Sequence, residues 1–108
     1  MSKRDLLPGT LDMLVLRTLS LGTLHGYAIA QHIERTSGDV FRLEQGSLYP
    51  ALERLQGAGL VKSKWGTSPT GRRARYYTIT ASGRKRLGEE ISQFDALTHA
   101  IARILGRA

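Results

Sequence analysis

The sequence predicts a mainly α-helical chain with one small β-hairpin, ordered as a winged helix-turn-helix and followed by a C-terminal dimerisation helix. Three observations carry this prediction. Helical apolar spacing recurs three times in the first half, the period changes to alternation between Val61 and Ile79, and helical spacing returns from Thr80 to the end. The expected organisation is residues 1–79 as the winged helix-turn-helix and 80–108 as the dimerisation helix. A chain of 108 residues suffices for one modest core, with no room for a separate sensing module.

In the first helix Leu11, Leu14, Val15 and Leu19 share a face, with Pro8 and Thr10 as start signals and Gly22 as a stop. The second spans roughly Leu24 to Ser37. It is expected to bury Tyr27, Ala30 and Ile33, to end at a left-handed Gly38, and to admit a close neighbour at Gly26. The third starts with Ser47 as N-cap, buries Leu48, Leu52 and Leu55, and stops at Gly57 and Gly59. Pro50 then falls at the third helical position, where a missing N–H has no helical partner to lose.

Val61, Ser63 and Trp65 alternate in one run and Arg75, Tyr77 and Ile79 in the next, which predicts a hairpin. Its connection, Gly66 to Gly71, is longer than a two-residue turn and is expected to project as a flexible loop. Thr80 is the expected N-cap of the last helix. In it Leu87, Ile91, Phe94, Thr98, Ile101 and Leu105 step by four, three, four, three and four residues, a heptad seam with one polar member. A seam that long exceeds what so small a domain can cover, so a second copy is the natural cover; folding back onto the first helix is the alternative.

Sixteen Lys plus Arg against nine Asp plus Glu give a formal charge of +7, which favours a polyanionic partner. Eight of those sixteen cations lie between Lys62 and Arg86, a stretch without any Asp or Glu. They sit on the predicted hairpin, its loop and the start of the last helix, as a phosphate-binding surface would. With no cysteine, thiolate metal sites and disulfides are excluded. His25, His32 and His99 fit no metal or triad spacing, so neither an enzyme nor a cofactor is expected. The basic N-terminus, Met1 to Asp5, precedes a segment interrupted by Asp12 and Arg17, unlike a signal peptide, and no stretch is long enough for a membrane span. The cytoplasm is the expected location.

In a winged helix one helix enters the major groove of double-stranded DNA while the hairpin grips nearby phosphates. The candidate contacts are therefore Ser47, Tyr49, Pro50 and Arg54 on the third helix, flanked by Glu53, and Lys64, Arg72, Arg73 and Arg75 on the wing. Two uses stand for several of these: Tyr49 contacts DNA or packs on the core, Ser47 binds phosphate or only caps, and Glu53 and Arg54 contact DNA or only solvate the helix. The candidate dimer contacts are Leu87, Ile91, Phe94, Ile101 and Leu105. Trp65 is assigned to wing packing or a backbone contact in preference to stacking on a ligand.

The run Gly46-Ser47-Leu48-Tyr49-Pro50-Ala51-Leu52, continuing through Arg54-Leu55 to Gly59-Leu60-Val61, resembles the signature segment of PadR-family regulators. Leu24-His25-Gly26-Tyr27, Gly71-Arg72-Arg73 with Tyr76-Tyr77, and Thr80-Ala81-Ser82-Gly83 agree with it in order and spacing. The resemblance implies a homodimer on a palindromic operator, usually a repressor, with one helix after the wing as in the short members. It assigns DNA contacts to Tyr49 and the wing arginines, and it allows a small aromatic or amphipathic effector beside the dimer interface, where Ile91 and Phe94 lie. The rivals are a winged helix turned protein-interaction module, which has no need of eight unopposed cations, and a structural RNA-binding protein, which the heptad seam disfavours.

Overall fold

A computed structural model of the chain describes residues 8–107; the reading of Met1 to Asp5 lies outside them. The elements run α1 (Pro8–Ser20), β1 (Leu24–His25), α2 (Gly26–Thr36), α3 (Gln45–Gly57), β2 (Val61–Thr67), β3 (Arg73–Ile79) and α4 (Ala81–Ile104). The sheet is antiparallel with order β1-β3-β2.

Helix α1 is the central element and packs against α2, α3, α4 and β3. Leu11, Val15, Leu16 and Leu19 are buried, and Thr18 is buried with them because its hydroxyl donates to the Leu14 carbonyl at 2.8 Å. Burying a hydroxyl without such a partner would cost about 1–3 kcal/mol. From α2 the core receives Ile29 and Ile33; from α3, Leu48, Ala51, Leu52 and Leu55; from the sheet, Val61, Tyr77 and Ile79; and from α4, Leu87.

The structure corrects the sequence reading in several places. Tyr27 is not in the core: it is 65% exposed, and Ile29 takes the buried position. Tyr27 and Ile29 are two positions apart, about 200° of helix, so both cannot face inward. Residues Leu24 and His25 do not begin α2 but form β1, paired Leu24 to Tyr77 and His25 to Tyr76. A two-residue strand carries no periodic signal; it forms because β3 offers a second hydrogen-bonding edge. The N-cap of α2 is His25, whose Nδ1 accepts from the Ala28 N–H at 3.2 Å. Gly38 ends α2 at φ +63°, as expected, with Asp39 also at φ +63°.

Helix α3 begins two residues before its expected N-cap. Glu44 holds the cap position without a side-chain bond, so Ser47 is the third helical residue and Pro50 the sixth. Pro50 therefore removes an amide that would have bonded the Gly46 carbonyl, a cost tolerable one turn into an exposed helix start. The hairpin pairs Val61 with Ile79 through Thr67 with Arg73, longer at its tip than expected, and its connection shrinks to residues 68–72. That connection is closed internally. The Ser68 N–H donates to the Arg72 carbonyl at 2.7 Å, the Gly71 N–H to the Ser68 carbonyl at 2.9 Å, and the Arg72 N–H to the Ser68 hydroxyl at 3.2 Å. Gly71 supplies the left-handed residue at φ +83°.

Thr80 caps α4 as expected, accepting from the Gly83 N–H at 3.0 Å while donating to the Gly59 carbonyl at 2.7 Å. Its first turns pack against α1 and β3. Beyond Leu87 the apolar side chains leave the core: Ile91, Phe94, Leu97, Ile101, Ile104 and Leu105 are all exposed. Among the described residues, no helix is long and apolar enough to cross a membrane.

Candidate nucleic-acid interface

Strand alternation divides the wing into two faces. Trp65, Arg73, Arg75 and Tyr77 lie on the face turned toward α2 and α3, and Lys62 and Lys64 on the other, beside Thr23 and Thr78. Between the first face, the start of α2 and the exposed side of α3 runs an open cleft of about 990 Å³. Tyr49 and Glu53 reach it from α3, His25, Tyr27 and Gln31 from β1 and α2, and Trp65, Arg72, Arg73, Arg75 and Tyr77 from the wing.

Tyr49 is positioned by what α2 lacks. A Cβ on Gly26 would sit 2.7 Å from the Tyr49 hydroxyl and 2.9 Å from its ring, so the ring can lie over α2 only because residue 26 is glycine. The close approach expected at Gly26 is thus made by a side chain of α3. Tyr77 forms the buried floor. Burial pushes its hydroxyl above the usual tyrosine range; Arg75 opposes the shift, and Tyr49 and Glu53 add to it. The floor of the cleft is accordingly a neutral phenol. Glu53 is the one carboxylate among the described lining residues, set against three arginines.

The sequence candidates do not all meet here. Tyr49, Arg72, Arg73 and Arg75 come together in the cleft. Ser47 and Pro50 are exposed at the start of α3 but outside it, and Lys64 is on the far face of the wing. Arg54 points the other way, pairing with Asp12 of α1 at 2.9 Å and so fastening α3 to α1. Tyr27 and Gln31, joined by a 3.2 Å hydrogen bond from the Gln31 amide to the Tyr27 hydroxyl, line the cleft, where a core position for Tyr27 does not put them. The signal was present in Ile29 and Ile33, four apart, which define the buried arc and leave Tyr27 outside it.

Three arginines and several aromatic rings on a groove beside an exposed helix suit a phosphate backbone and the bases next to it. Residues 15–89 match the model of the transcriptional regulator PadR-like family. The chain belongs to the PadR-like family. Family members are transcriptional regulators that act on DNA and are not enzymes. The matched span runs from α1 through the wing into the first turns of α4, so it contains the whole cleft. A transcriptional regulator of Mycobacterium tuberculosis is 32% identical over 78 residues, covering 72% of this chain and 69% of its own. A protein of a Streptomyces fradiae transposon is 43% identical over 96 residues, or 89% of this chain, which spans only 24% of that longer protein. Among solved structures, a PadR family transcriptional regulator from Eggerthella lenta superposes with TM-score 0.78 at 31% identity, covering 90% of this chain and 82% of its own. A transcriptional regulator from Clostridium thermocellum gives 0.81 at 27% identity over 88% and 92%. The winged-helix fold of this PadR-like regulator is therefore that of its structural relatives.

Proposed function

We propose that this PadR-like regulator acts as a homodimer on a palindromic operator in double-stranded DNA and represses the gene beside it. The observation that carries the DNA contact is the cleft: Arg72, Arg73 and Arg75 of the wing converge with Tyr49 of α3 on one groove. The wing arginines bind phosphates, Tyr49 orients the backbone at the groove edge, and the exposed start of α3, with Ser47 and Pro50, lies against the bases. Arg54 and Lys64 are flanking contacts: Arg54 must leave Asp12 to reach DNA, and Lys64 meets it only where the duplex extends past the wing's far face.

Residues 1–79 are the DNA-reading part and 80–108 the dimerisation helix. Phe94 is 47% exposed, and Ile91, Ile101 and Leu105 continue its stripe; a second copy is the cover that this surface fits. Leu87 contributes at the root of the seam, where it also packs in the chain's own core. A small aromatic or amphipathic effector belongs beside that seam near Ile91 and Phe94. The expected compartment is the cytoplasm, where such a regulator's DNA lies.

The test is fluorescence anisotropy with the duplex just upstream of the protein's own gene, against scrambled competitor, at two salt concentrations. Tight, competitor-resistant, salt-sensitive binding supports the proposal. Binding no tighter than to scrambled DNA removes the operator from it.

A further inference from the structure

Trp65 is 55% exposed on the wing, and what covers its ring is cationic. Arg75 faces it in register across the hairpin, with Cζ 5.7 Å from the ring centroid. Arg73, two residues earlier on the same face of β3, approaches to 4.4 Å. A guanidinium over an indole is attracted by the negative face of the ring, a hold that needs no carboxylate partner. The contrast is Arg54, whose Nη2 is spent on the Asp12 carboxylate. Among the described residues neither Arg73 nor Arg75 is in an ion pair, so the N–H edges of both stay available in the cleft.

We propose that Trp65 is a positioning residue: its ring is a platform that holds Arg73 and Arg75 in the cleft before DNA arrives. The inference rests on the wing binding DNA phosphates, as proposed above, and adds how the wing's cations are made ready. A free arginine on an exposed strand loses much rotamer freedom when it grips a phosphate, whereas a stacked one has already lost it. Trp65 therefore raises affinity for duplex of any sequence without itself adding a phosphate contact.

That distinction is measurable with the full chain and a synthetic duplex of arbitrary sequence, by anisotropy across a salt series. Trp65→Leu keeps an apolar side chain and removes the platform. Its expected binding is roughly 5-fold weaker at every salt concentration, with the slope of affinity against salt preserved, and Trp65→Phe recovers most of the loss. Arg73→Ala with Arg75→Ala removes the contacts themselves and flattens the slope by up to about two units. Because Trp65 is the single tryptophan, its emission in the DNA-free protein should also shift when both arginines are removed, a readout that holds even if the leucine variant folds poorly.

Wild-type affinity for Trp65→Leu, alongside weakened binding of the arginine pair, overturns the platform and leaves the wing's role standing. If the arginine pair also binds like wild type, the DNA-binding wing itself fails. Loss confined to one duplex sequence makes Trp65 a base reader and overturns the inference, as does emission unchanged by removing the arginines.

Discussion

Gly26 and Tyr49 act as one unit across the junction of α2 and α3. Substituting Gly26→Ala drives a methyl into the far end of the Tyr49 ring and not into backbone, so the ring must swing away while the helices stay packed. The expected result is a melting temperature near wild type with weakened DNA binding, resembling that of Tyr49→Ala. Circular dichroism and anisotropy on both variants check this, and global unfolding of Tyr49→Ala would make Tyr49 a core residue. The wing arginines act through charge at the same scale. Replacing Arg72 and Arg73 by Ala should weaken binding to operator and scrambled duplex alike and reduce the salt slope by up to about two units, at roughly 0.9 for each lost phosphate contact. A slope equal to wild type would take those two arginines off the DNA.

At the scale of elements, the start of α4 is where the wing is locked to the helical core. Thr80 bonds Gly59 and Gly83 together, and the Thr80 N–H donates to the Leu60 carbonyl at 3.0 Å. A Cβ on Gly83 would collide with that same Leu60 carbonyl, which is backbone and cannot rotate away. Gly83→Ala should therefore destabilise by at least about 2 kcal/mol, or roughly 10 °C in melting temperature for a domain this small. Gly88→Ala, one turn further along in open space, should gain up to about 1 kcal/mol instead. Thermal melts of the pair test whether close approach, and not helix propensity, governs residue 83. The five-residue wing tip follows a related rule: Ser68 and a left-handed Gly71 close it with backbone bonds, so the basic residues beside it start from a defined frame.

For the whole molecule, function depends on how two copies are spaced. Helix α4 is 24 residues, about 36 Å long, and only its beginning is used by the chain's own core. If its remaining apolar stripe joins two copies, successive half-sites are expected one DNA turn apart, about 34–36 Å between recognition helices. Phe94→Asp puts a charge into that stripe without touching the core, so light scattering should find a monomer whose helical spectrum is intact. Operator affinity should fall further than affinity for a single half-site. A dimer of undiminished stability would remove Phe94 from the interface.

The order of the four helices and the hairpin, the leucine stripe of α3, the cap at Thr80 and the basic wing are all legible along the chain, because helical period, strand alternation and local capping are written in neighbours. The sequence also carried the family, through motifs such as Leu48-Tyr49-Pro50 and Gly71-Arg72-Arg73. That Leu24 and His25 form a strand depends on the folded sheet, since a two-residue strand exists by virtue of the edge it meets. Tyr27 is different: Ile29 and Ile33, four apart, claim the core and turn it to the cleft by helical spacing alone. Arg54 turns to Asp12 while Arg73 and Arg75 turn to Trp65, a division of labour invisible to a count of cations. The short strand and the partners of these arginines are set by competition between segments apart in sequence, and that competition is resolved only when the chain is folded.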